Sequence, residues 1–440
     1  MAKKPNLKFW QIWNLSFGFL GVQIGYSLQN GNTSRILSAL GADVEHLSYF
    51  WLAAPLAGLL VQPIIGLSSD RTWTRMGRRV PFILGGAIAS ALAMFFMPNA
   101  EYFAALFIPL FFGATMLLFM DTSFNVTMQP FRALVGDMVN DEQRNLGYSV
   151  QSFLINAGAV LGSLLPFILT YIGVSNVPTG SEKVAPTVIW AFYIGGAVLL
   201  LTVLWTTFST KEYPPKEYEE YNNITEEEKS HSSMVSLIKD IPNSMWRLAI
   251  VQFFSWFSLF LMWVYTTSGI AQNVWHVSPK DATSASFNAA GNWTGVIFAA
   301  YSLFAALFSL AMPRVAKKIG RKATYRYSLL LGGLSLVSMI FIHNQYGLLF
   351  AMVGVGISWA AILAMPYAIL SASLPASKMG VYMGLFNATI TIPQIAAGVL
   401  GGIILTFLGS QAIFMLGVAG VSMLIAGFSV LFVHDKHEIR

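Results

Sequence analysis

The amino-acid sequence predicts an all-α membrane protein with twelve transmembrane helices in two related bundles of six. Three observations predict this fold class. Of the 440 residues, 55% are hydrophobic and only 10% are charged, whereas soluble domains carry about 25% charged residues. Twelve apolar runs are each about 20 residues long, which is the length of a helix that crosses a bilayer. A basic loop and a proline-led segment also recur in the second half of the chain.

The predicted spans fall into two sets of six. The first set is 9–29, 47–68, 80–98, 104–129, 146–172 and 187–208. The second set is 246–268, 293–312, 324–342, 346–372, 380–407 and 410–433. The predicted domains are an N-terminal six-helix bundle, a cytoplasmic linker and a C-terminal six-helix bundle, which occupy 1–208, 209–245 and 246–440. The segments expected outside are 30–46, 173–186 and 271–292.

Basic residues are distributed unequally between the two ends of these spans. One side holds most of the lysines and arginines, and the other holds only Arg35, Lys183 and Lys280. Because cytoplasmic loops are enriched in Lys and Arg, we expect both termini in the cytoplasm. We expect a multi-pass protein of the plasma (inner) membrane whose partner is the lipid bilayer. We also expect it to be a monomer. The net charge of +6 follows from this placement and does not indicate nucleic-acid binding.

An internal repeat relates the two halves. The loops after the second and eighth spans match at one constant offset. The matched positions are Arg71 and Arg314, Arg75 and Lys318, Gly77 and Gly320, Arg78 and Arg321, and Arg79 and Lys322. Pro130 and Pro366 each lead into a glycine-rich span, with Gly158 and Gly162 in the first half and Gly398 and Gly401 in the second. Two related six-span halves are the architecture of alternating-access transporters.

A membrane-embedded acid lies in the fourth span. Asp121 interrupts an apolar run, where a charge costs about 2.5–3.5 kcal/mol on insertion scales and is usually functional. Asn125 and Arg132 share its helical face. Arg132 is about 16 Å further along the axis at about 1.5 Å per residue, so a direct ion pair is not expected. The alternative is a polar seam that only joins this helix to its neighbours.

The loop GLSSDRTWTRMGRR at 66–79 resembles the signature loop of the major facilitator superfamily. Several motifs also resemble the sucrose:proton symporters of plants and their bacterial and animal relatives. These motifs are GVQIGYSLQ at 21–29, WLAAPLAGLLVQPIIG at 51–66, GRRVPFI at 77–83, DTSFN at 121–125, PFRALVGD at 130–137, PYA at 366–368 and IPQ at 392–394. The resemblance covers most of the chain and is densest before residue 165. It implies the major facilitator fold and proton-coupled disaccharide symport by alternating access.

By this resemblance Asp121 corresponds to the family's membrane-embedded acid for proton and sugar, and Arg132 to its essential arginine. The chain also departs from the plant proteins. Their acidic cluster in the seventh span has no counterpart after Trp256, and their outer-loop histidine aligns with Val44. The expected substrate is therefore either sucrose or, as in the bacterial branch, maltose and other α-glucosides.

Other polar and aromatic residues on the spans are candidate sugar contacts, because amides both donate and accept hydrogen bonds. The predicted substrate-binding residues are Asp121, Asn125, Gln23, Gln29, Gln151, Asn156, Gln252, Trp256, Trp359, Asn387 and Gln394. The predicted gating residues are Arg132, Asp137, Asp70, Arg71, Arg75, Arg78 and Arg79. Each amide can equally join two helices, each tryptophan can equally lie at the membrane interface, and the basic loops can act in topology alone.

The residue types present also limit the chemistry. The chain contains no cysteine, which excludes disulfides and thiolate metal sites. No phosphate loop, metal-ligand cluster or catalytic triad is recognisable, so neither an enzyme nor a cofactor is predicted. H+ is the expected coupling ion, because protonation by itself neutralises a lone carboxylate. The alternatives are Na+-coupled or facilitative transport, a membrane sugar sensor that moves nothing, and a membrane-embedded enzyme acting on lipid or glycan.

Overall fold

The computed structural model describes residues 4–140, 143–180, 182–222, 243–371 and 386–434. The helices of the first half are α1 (Phe9–Ser16), α2 (Gly18–Ala39), α3 (Leu47–Phe50), α4 (Ala53–Arg71), α5 (Val80–Phe96), α6 (Pro109–Met138), α7 (Arg144–Tyr171), α8 (Pro186–Ser209) and α9 (Pro215–Asn222). Those of the second half are α10 (Asn243–Val274), α11 (Ala285–Ile319), α12 (Arg321–Ser338), α13 (Gly347–Ser371), α14 (Ala388–Phe407) and α15 (Ala412–Ser429). Helices satisfy their own backbone groups, as a chain in lipid requires.

Ten helical segments in the described residues are long and apolar enough to cross a membrane. The first and ninth predicted spans lie outside these ten, although α2 and α12 are helical at those places. The reason is polarity: α2 carries Gln29 and Asn30, and α12 begins with Arg321 and Lys322. The helical membrane architecture agrees with the sequence prediction, and the count of twelve spans stays a prediction.

Three predicted boundaries were wrong. The first predicted span is divided at Phe17 and, as α2, continues to Ala39 through a segment expected to be a loop. It continues because the residues after Gln29 are buried and packed. The predicted loop 271–292 is shorter, because α10 extends to Val274 and Ser284 caps α11 by accepting a hydrogen bond from the Phe287 amide at 3.2 Å. The fourth span begins later, with Pro109 in the first helical turn, a position that suits proline.

The chain forms two compact packing units. The first consists of Met1–Asn30, Leu56–Val174 and Pro186–Ser232. Within it, α5 packs against α6 and α8, while α7 packs against α1 and α8.

The second packing unit consists of Gly31–Pro55, Ser175–Ala185 and Ser233–Arg440. Within it, α12 packs against α13 and α15, and α10 packs against α14 and α15. The third span of each predicted set thus packs against the fourth and sixth of its own set, which is the pattern a repeat produces. Two segments of the first half, Gly31–Pro55 and Ser175–Ala185, belong to this unit. The division into domains at 208 and 245 stays a prediction.

The glycine pair in α7 allows a close helix contact within the first unit. A Cβ added to Gly158 would lie 2.4 Å from the Leu20 carbonyl oxygen, and one added to Gly162 would lie 2.6 Å from the Ile24 carbonyl oxygen. Both carbonyls belong to α2, so two helix backbones meet where only glycine fits. This geometry explains the spacing of the two glycines as helix packing.

We expect Gly162→Ala to lower the thermal stability of the detergent-solubilised protein. The added methyl group would overpack against the α2 backbone, which typically costs about 1–3 kcal/mol. The measurement is the melting temperature followed by the elution of intact protein after heating. Gly66→Ala is the matched control, because a Cβ at that helical glycine meets no described atom within 4 Å. Equal melting temperatures for the two variants would contradict the packing interpretation.

Candidate substrate and coupling site

Asp121 lies on α6 in the interior of the first packing unit. Its side chain is completely buried. The Gln29 amide Nε2 donates a hydrogen bond to Asp121 Oδ1 at 2.5 Å. Among the described residues, Asp121 Oδ2 and Gln29 Oε1 have no hydrogen-bond partner. Unsatisfied buried acceptors are costly, so a proton on the acid or a hydroxyl donor from a ligand would stabilise this pair of residues.

A second pair of amides extends this polar group along α6. Asn125 is buried, and its Nδ2 donates to the Asp121 backbone carbonyl at 2.8 Å. Its Oδ1 accepts a hydrogen bond from Gln62 Nε2 of α4 at 2.7 Å. Gln29, Asp121, Asn125 and Gln62 therefore form one polar row, contributed by three helices of the first unit. Gln62 was not among the predicted binding residues, although it lies in the motif VQPIIG that carried the resemblance.

Tyr26 of α2 and Arg132 of α6 lie outside this polar row. The Tyr26 ring packs against Phe124 with 4.8 Å between the ring centroids. Phe124 precedes Asn125 on α6, so Tyr26 contacts the helix that carries the acid. Arg132 itself is exposed on α6. Tyr26 was also missed, since a tyrosine in a span gives no signal by itself.

The remaining first-half candidates have different surroundings. Gln151 is buried, and its Nε2 has no hydrogen-bond partner in the described part of the chain. Asn156 donates from Nδ2 to the Ser152 carbonyl of its own helix at 2.9 Å. Gln23 is half-buried and lies beside Gly158. The structure thus joins Gln29 and Asn125 to Asp121 by hydrogen bonds. It describes no hydrogen bond between Asp121 and Gln151, Asn156 or Gln23.

In the second packing unit, the predicted residues Trp256 and Trp359 form an aromatic cluster with Trp263. Trp359 meets Trp256 and Trp263 edge to face, with ring centroids 5.7 Å and 5.9 Å apart. Trp263 Nε1 donates to the Tyr301 hydroxyl at 3.3 Å. Trp359 and Trp263 are partly exposed, whereas Trp256 is buried, and its Nε1 has no partner among the described residues. Tyr301 was not predicted.

The second-half amides occupy different environments. Gln252 is fully buried, and its Oε1 accepts a hydrogen bond from the Tyr325 hydroxyl at 3.1 Å. Asn387 is exposed at the start of α14 and accepts from the Tyr367 hydroxyl at 3.2 Å. Gln394 is half-buried further along the same helix. Gln252 therefore has the interior position expected of a binding amide, whereas Asn387 lies at a helix end.

The basic loop before α5 is tied to the end of α6. Arg78 Nη2 lies 2.5 Å from Asp137 Oδ2, and Arg79 Nε lies 3.0 Å from the same oxygen. Arg79 Nη1 also donates to the Ser69 hydroxyl at 2.6 Å. Both arginines are almost completely buried. Burial alone would lower the pKa of Arg78, but Asp137 and Tyr218 together outweigh burial and hold that pKa above its usual value.

A residue of the linker completes this cluster. Glu212 accepts hydrogen bonds from the backbone amides of Arg78, Arg79 and Val80 at 3.0, 2.8 and 2.9 Å. The carboxylate thus caps the N-terminus of α5, where negative charge is favourable. Gly77, with φ of +114°, makes the turn that brings these amides together. Arg78 also lies 4.0 Å above the Tyr218 ring of α9.

Three other predicted gating residues, Arg75, Asp70 and Arg71, have no described contact with this cluster. Arg75 is exposed. The side chains of Asp70 and Arg71 lie outside the described residues. Glu212 and Tyr218 were not predicted, because the segment 209–245 was interpreted only as a cytoplasmic linker between the two bundles. Glu212 follows the sixth predicted span, and no pattern in the sequence relates it to the loop that precedes the third span.

We expect Glu212→Gln to loosen the first turn of α5. Glutamine keeps one acceptor oxygen and loses both the second oxygen and the charge, and the loss of such a cap costs about 0.5–2 kcal/mol. Hydrogen–deuterium exchange of the amides at 78–80 should therefore become faster. Glu217→Gln is the control, since Glu217 is exposed on α9. Unchanged exchange at these amides would show that the carboxylate does not cap the helix.

Comparison with known proteins now identifies the family. The model of the MFS/sugar transport protein family matches residues 36–411. The chain belongs to this family. The major facilitator fold predicted from the sequence is confirmed, and the protein is a multi-pass integral membrane transporter and not an enzyme.

Two curated proteins similar to this MFS transporter are named as sugar transporters. The sucrose transport protein SUC4 of Arabidopsis thaliana is 26% identical over 422 residues, which cover 87% of this chain and 81% of the relative. The general alpha-glucoside permease of Schizosaccharomyces pombe is 30% identical over 278 residues, which cover 60% of this chain and 49% of the relative. This similarity to a sucrose transport protein and an alpha-glucoside permease agrees with the resemblance found in the sequence.

Solved structures share the fold of this MFS transporter. A bacterial homologue of the human lysosomal transporter Spinster has a TM-score of 0.66 at 14% identity and covers 96% of this chain and 95% of its own. The nucleoside transporter NupG has a TM-score of 0.66 at 12% identity and covers 97% of this chain and 98% of its own. At such low identity these likenesses concern the fold alone.

Proposed function

We propose that this MFS transporter carries a disaccharide, namely maltose, sucrose or a related α-glucoside, together with a proton by alternating access. The observation that carries the proposal is the buried Asp121, whose Oδ1 is held by Gln29 and whose Oδ2 has no partner among the described residues. Relatives named as a sucrose transporter and an α-glucoside permease support the sugar class.

The polar row of the first unit suits a sugar chemically. A carboxyl group and three amides offer both donors and acceptors, which vicinal hydroxyls require. Two of the acceptors, Asp121 Oδ2 and Gln29 Oε1, have no protein donor in the described residues. Sugar hydroxyls would supply these donors. The tryptophans predicted in the second unit stay predictions as apolar sugar contacts.

Asp121 is proposed to couple the proton to the sugar. A bare carboxylate in the bilayer interior is costly, and protonation removes its charge. The loaded site is then neutral, so the transporter can change the side to which it opens. Release of the proton restores the charged acid and lets the sugar leave. Proton and sugar must each favour the binding of the other, because coupling between two ligands is reciprocal.

Purified protein in liposomes tests this function. Vesicles loaded with one unlabelled disaccharide are diluted into medium with the radiolabelled sugar, and exchange is measured over a panel of maltose, sucrose, other α-glucosides and monosaccharides. We expect exchange of at least one disaccharide, and accumulation when the outside is made acidic. Accumulation that requires Na+ would contradict proton coupling. No exchange of any sugar would contradict the proposed function.

We expect Arg132→Lys to reduce sugar uptake strongly while the protein still inserts. Arg132 is proposed to favour release of the proton from Asp121, because a cation stabilises the carboxylate that remains, or to hold the inner gate. Lysine keeps the charge but loses the planar, forked guanidinium. The measurement is uptake driven by a pH gradient, normalised to the amount of inserted protein. Near-normal kinetics would show that the side chain only extends to the membrane interface.

A further inference from the structure

Arg35 is a buried arginine near the end of α2 that has no part in the proposed proton and sugar cycle. Its side chain is 1% exposed. It is also one of only three basic residues on the side that the positive-inside pattern predicts to be outside. A buried guanidinium is unfavourable unless its donors are satisfied. Its retention in this position therefore calls for a structural or functional reason.

Three asparagines bind the guanidinium of Arg35. Arg35 Nε donates to Asn288 Oδ1 at 2.9 Å, Nη1 donates to Asn292 Oδ1 at 2.8 Å, and Nη2 donates to Asn176 Oδ1 at 2.7 Å. Asn288 and Asn292 are one turn apart on α11, and a Cβ on Gly291 between them would lie 2.6 Å from Arg35 Cδ. The three acceptors thus lie in the predicted outside segments 173–186 and 271–292, and they bind a residue of the third such segment, 30–46.

Neighbouring contacts hold the same segment against two other helices of the second unit. Ser34 Oγ donates to the Val264 carbonyl of α10 at 2.8 Å, and Trp51 Nε1 donates to Ser34 Oγ at 2.9 Å. Ser48 Oγ accepts a hydrogen bond from the Gly402 amide of α14 at 3.1 Å. Residues 31–55 belong to the first repeat in sequence, yet these bonds fasten them to helices of the second repeat.

We propose that Arg35, Asn176, Asn288 and Asn292 form an outer latch that must open when the transporter accepts sugar from outside. The inference rests on the proposed alternating access, in which bonds between the repeats on one side break in each cycle. Neutral acceptors suit a latch. The three amide oxygens accept the hydrogen bonds of the buried Arg35. When these bonds break, a neutral amide remains, whereas a buried ion pair would leave an unpaired carboxylate.

Labelling of a single introduced cysteine tests the latch, because the chain has no cysteine of its own. Ser38→Cys lies one turn beyond Arg35 and is 7% exposed. A membrane-impermeant maleimide is applied from outside to intact cells. We expect Arg35→Gln to raise the labelling rate of this cysteine by about tenfold, within the range of allosteric coupling between two states. Unchanged labelling would overturn the latch.

A second variant tests the opposite direction. Asn292→Asp places a carboxylate against Arg35 and should strengthen the latch, so labelling of Ser38→Cys should become slower and sugar exchange should also slow. This variant also carries the test if Arg35→Gln fails to fold. Faster labelling in Asn292→Asp would overturn the proposal, since a purely structural Arg35 predicts no such opposite effects.

Controls separate the latch from the proposed function and from the topology. Asp43→Cys, on the exposed turn after α2, should react from outside equally in every variant. Reaction of this cysteine only from inside would overturn the assignment of the latch to the outer side. The labelling rates are measured without sugar. A wild-type protein that exchanges no sugar in liposomes therefore contradicts the proposed function separately from any latch result.

Discussion

We expect Asp121→Asn to abolish the accumulation of sugar that a pH gradient drives, while exchange of sugar survives. Asparagine keeps an oxygen that can accept the hydrogen bond from Gln29 Nε2, so the local packing is preserved. It resembles the neutral acid but cannot bind or release a proton. The measurement compares concentrative uptake with exchange in the same liposomes. Uptake should fall to the level of passive equilibration.

Ser123→Ala is the matched control for this variant. Ser123 is buried on the same helix, and its hydroxyl donates to the Phe119 carbonyl of its own helix at 2.7 Å. Its loss should leave accumulation nearly unchanged. If Asp121→Asn still accumulates sugar against its gradient, Asp121 is a hydrogen-bonding residue and proton coupling lies elsewhere.

The second large effect is expected for Asp137→Asn, which should abolish transport without preventing membrane insertion. Asp137 Oδ2 binds both Arg78 and Arg79, and the neutral amide removes the carboxylate that both of these nearly buried cations contact. Removal of one partner of a buried pair costs about 3–5 kcal/mol, and the 17% exposure of the Asp137 side chain lowers that cost. The basic loop should then separate from α6.

Insertion and transport must be measured separately for this variant. Elution as a single species reports insertion and assembly, and exchange in liposomes reports transport. Glu220→Gln, an exposed acid on α9, controls for the loss of a cytoplasmic negative charge. Normal exchange by a well-assembled Asp137→Asn protein would show that the basic loop acts in membrane topology alone.

The sequence predicted those parts of the site that lie on one helix. Asp121 and Asn125 were placed on one face by helical spacing, and the structure joins them through the Asp121 backbone carbonyl. Gln29 was also a candidate, but its bond to the acid depends on the packing of α2 against α6. Gln62 was missed because it reaches Asn125 from α4, and no spacing in the sequence relates two separate helices.

The linker shows the same limit. Asp137 was predicted as a gating residue together with the arginines of the basic loop, and the structure places it against Arg78 and Arg79. Glu212 was missed because its three acceptor contacts are with backbone amides, which every residue except proline carries. The helical continuation of α2 to Ala39 was missed because polar residues such as Ser34 and Arg35 are typical of a loop, whereas here they are buried.

The most direct test of the central claim is the entry of protons that accompanies sugar entry. Liposomes that contain the purified protein and a trapped pH-sensitive dye start with equal pH on both sides, and disaccharide is added outside. Our account predicts that the lumen of wild-type vesicles becomes acidic as sugar enters, and that Asp121→Asn vesicles show no such change. Sugar entry without acidification in the wild type, or equal acidification in Asp121→Asn, would contradict the account.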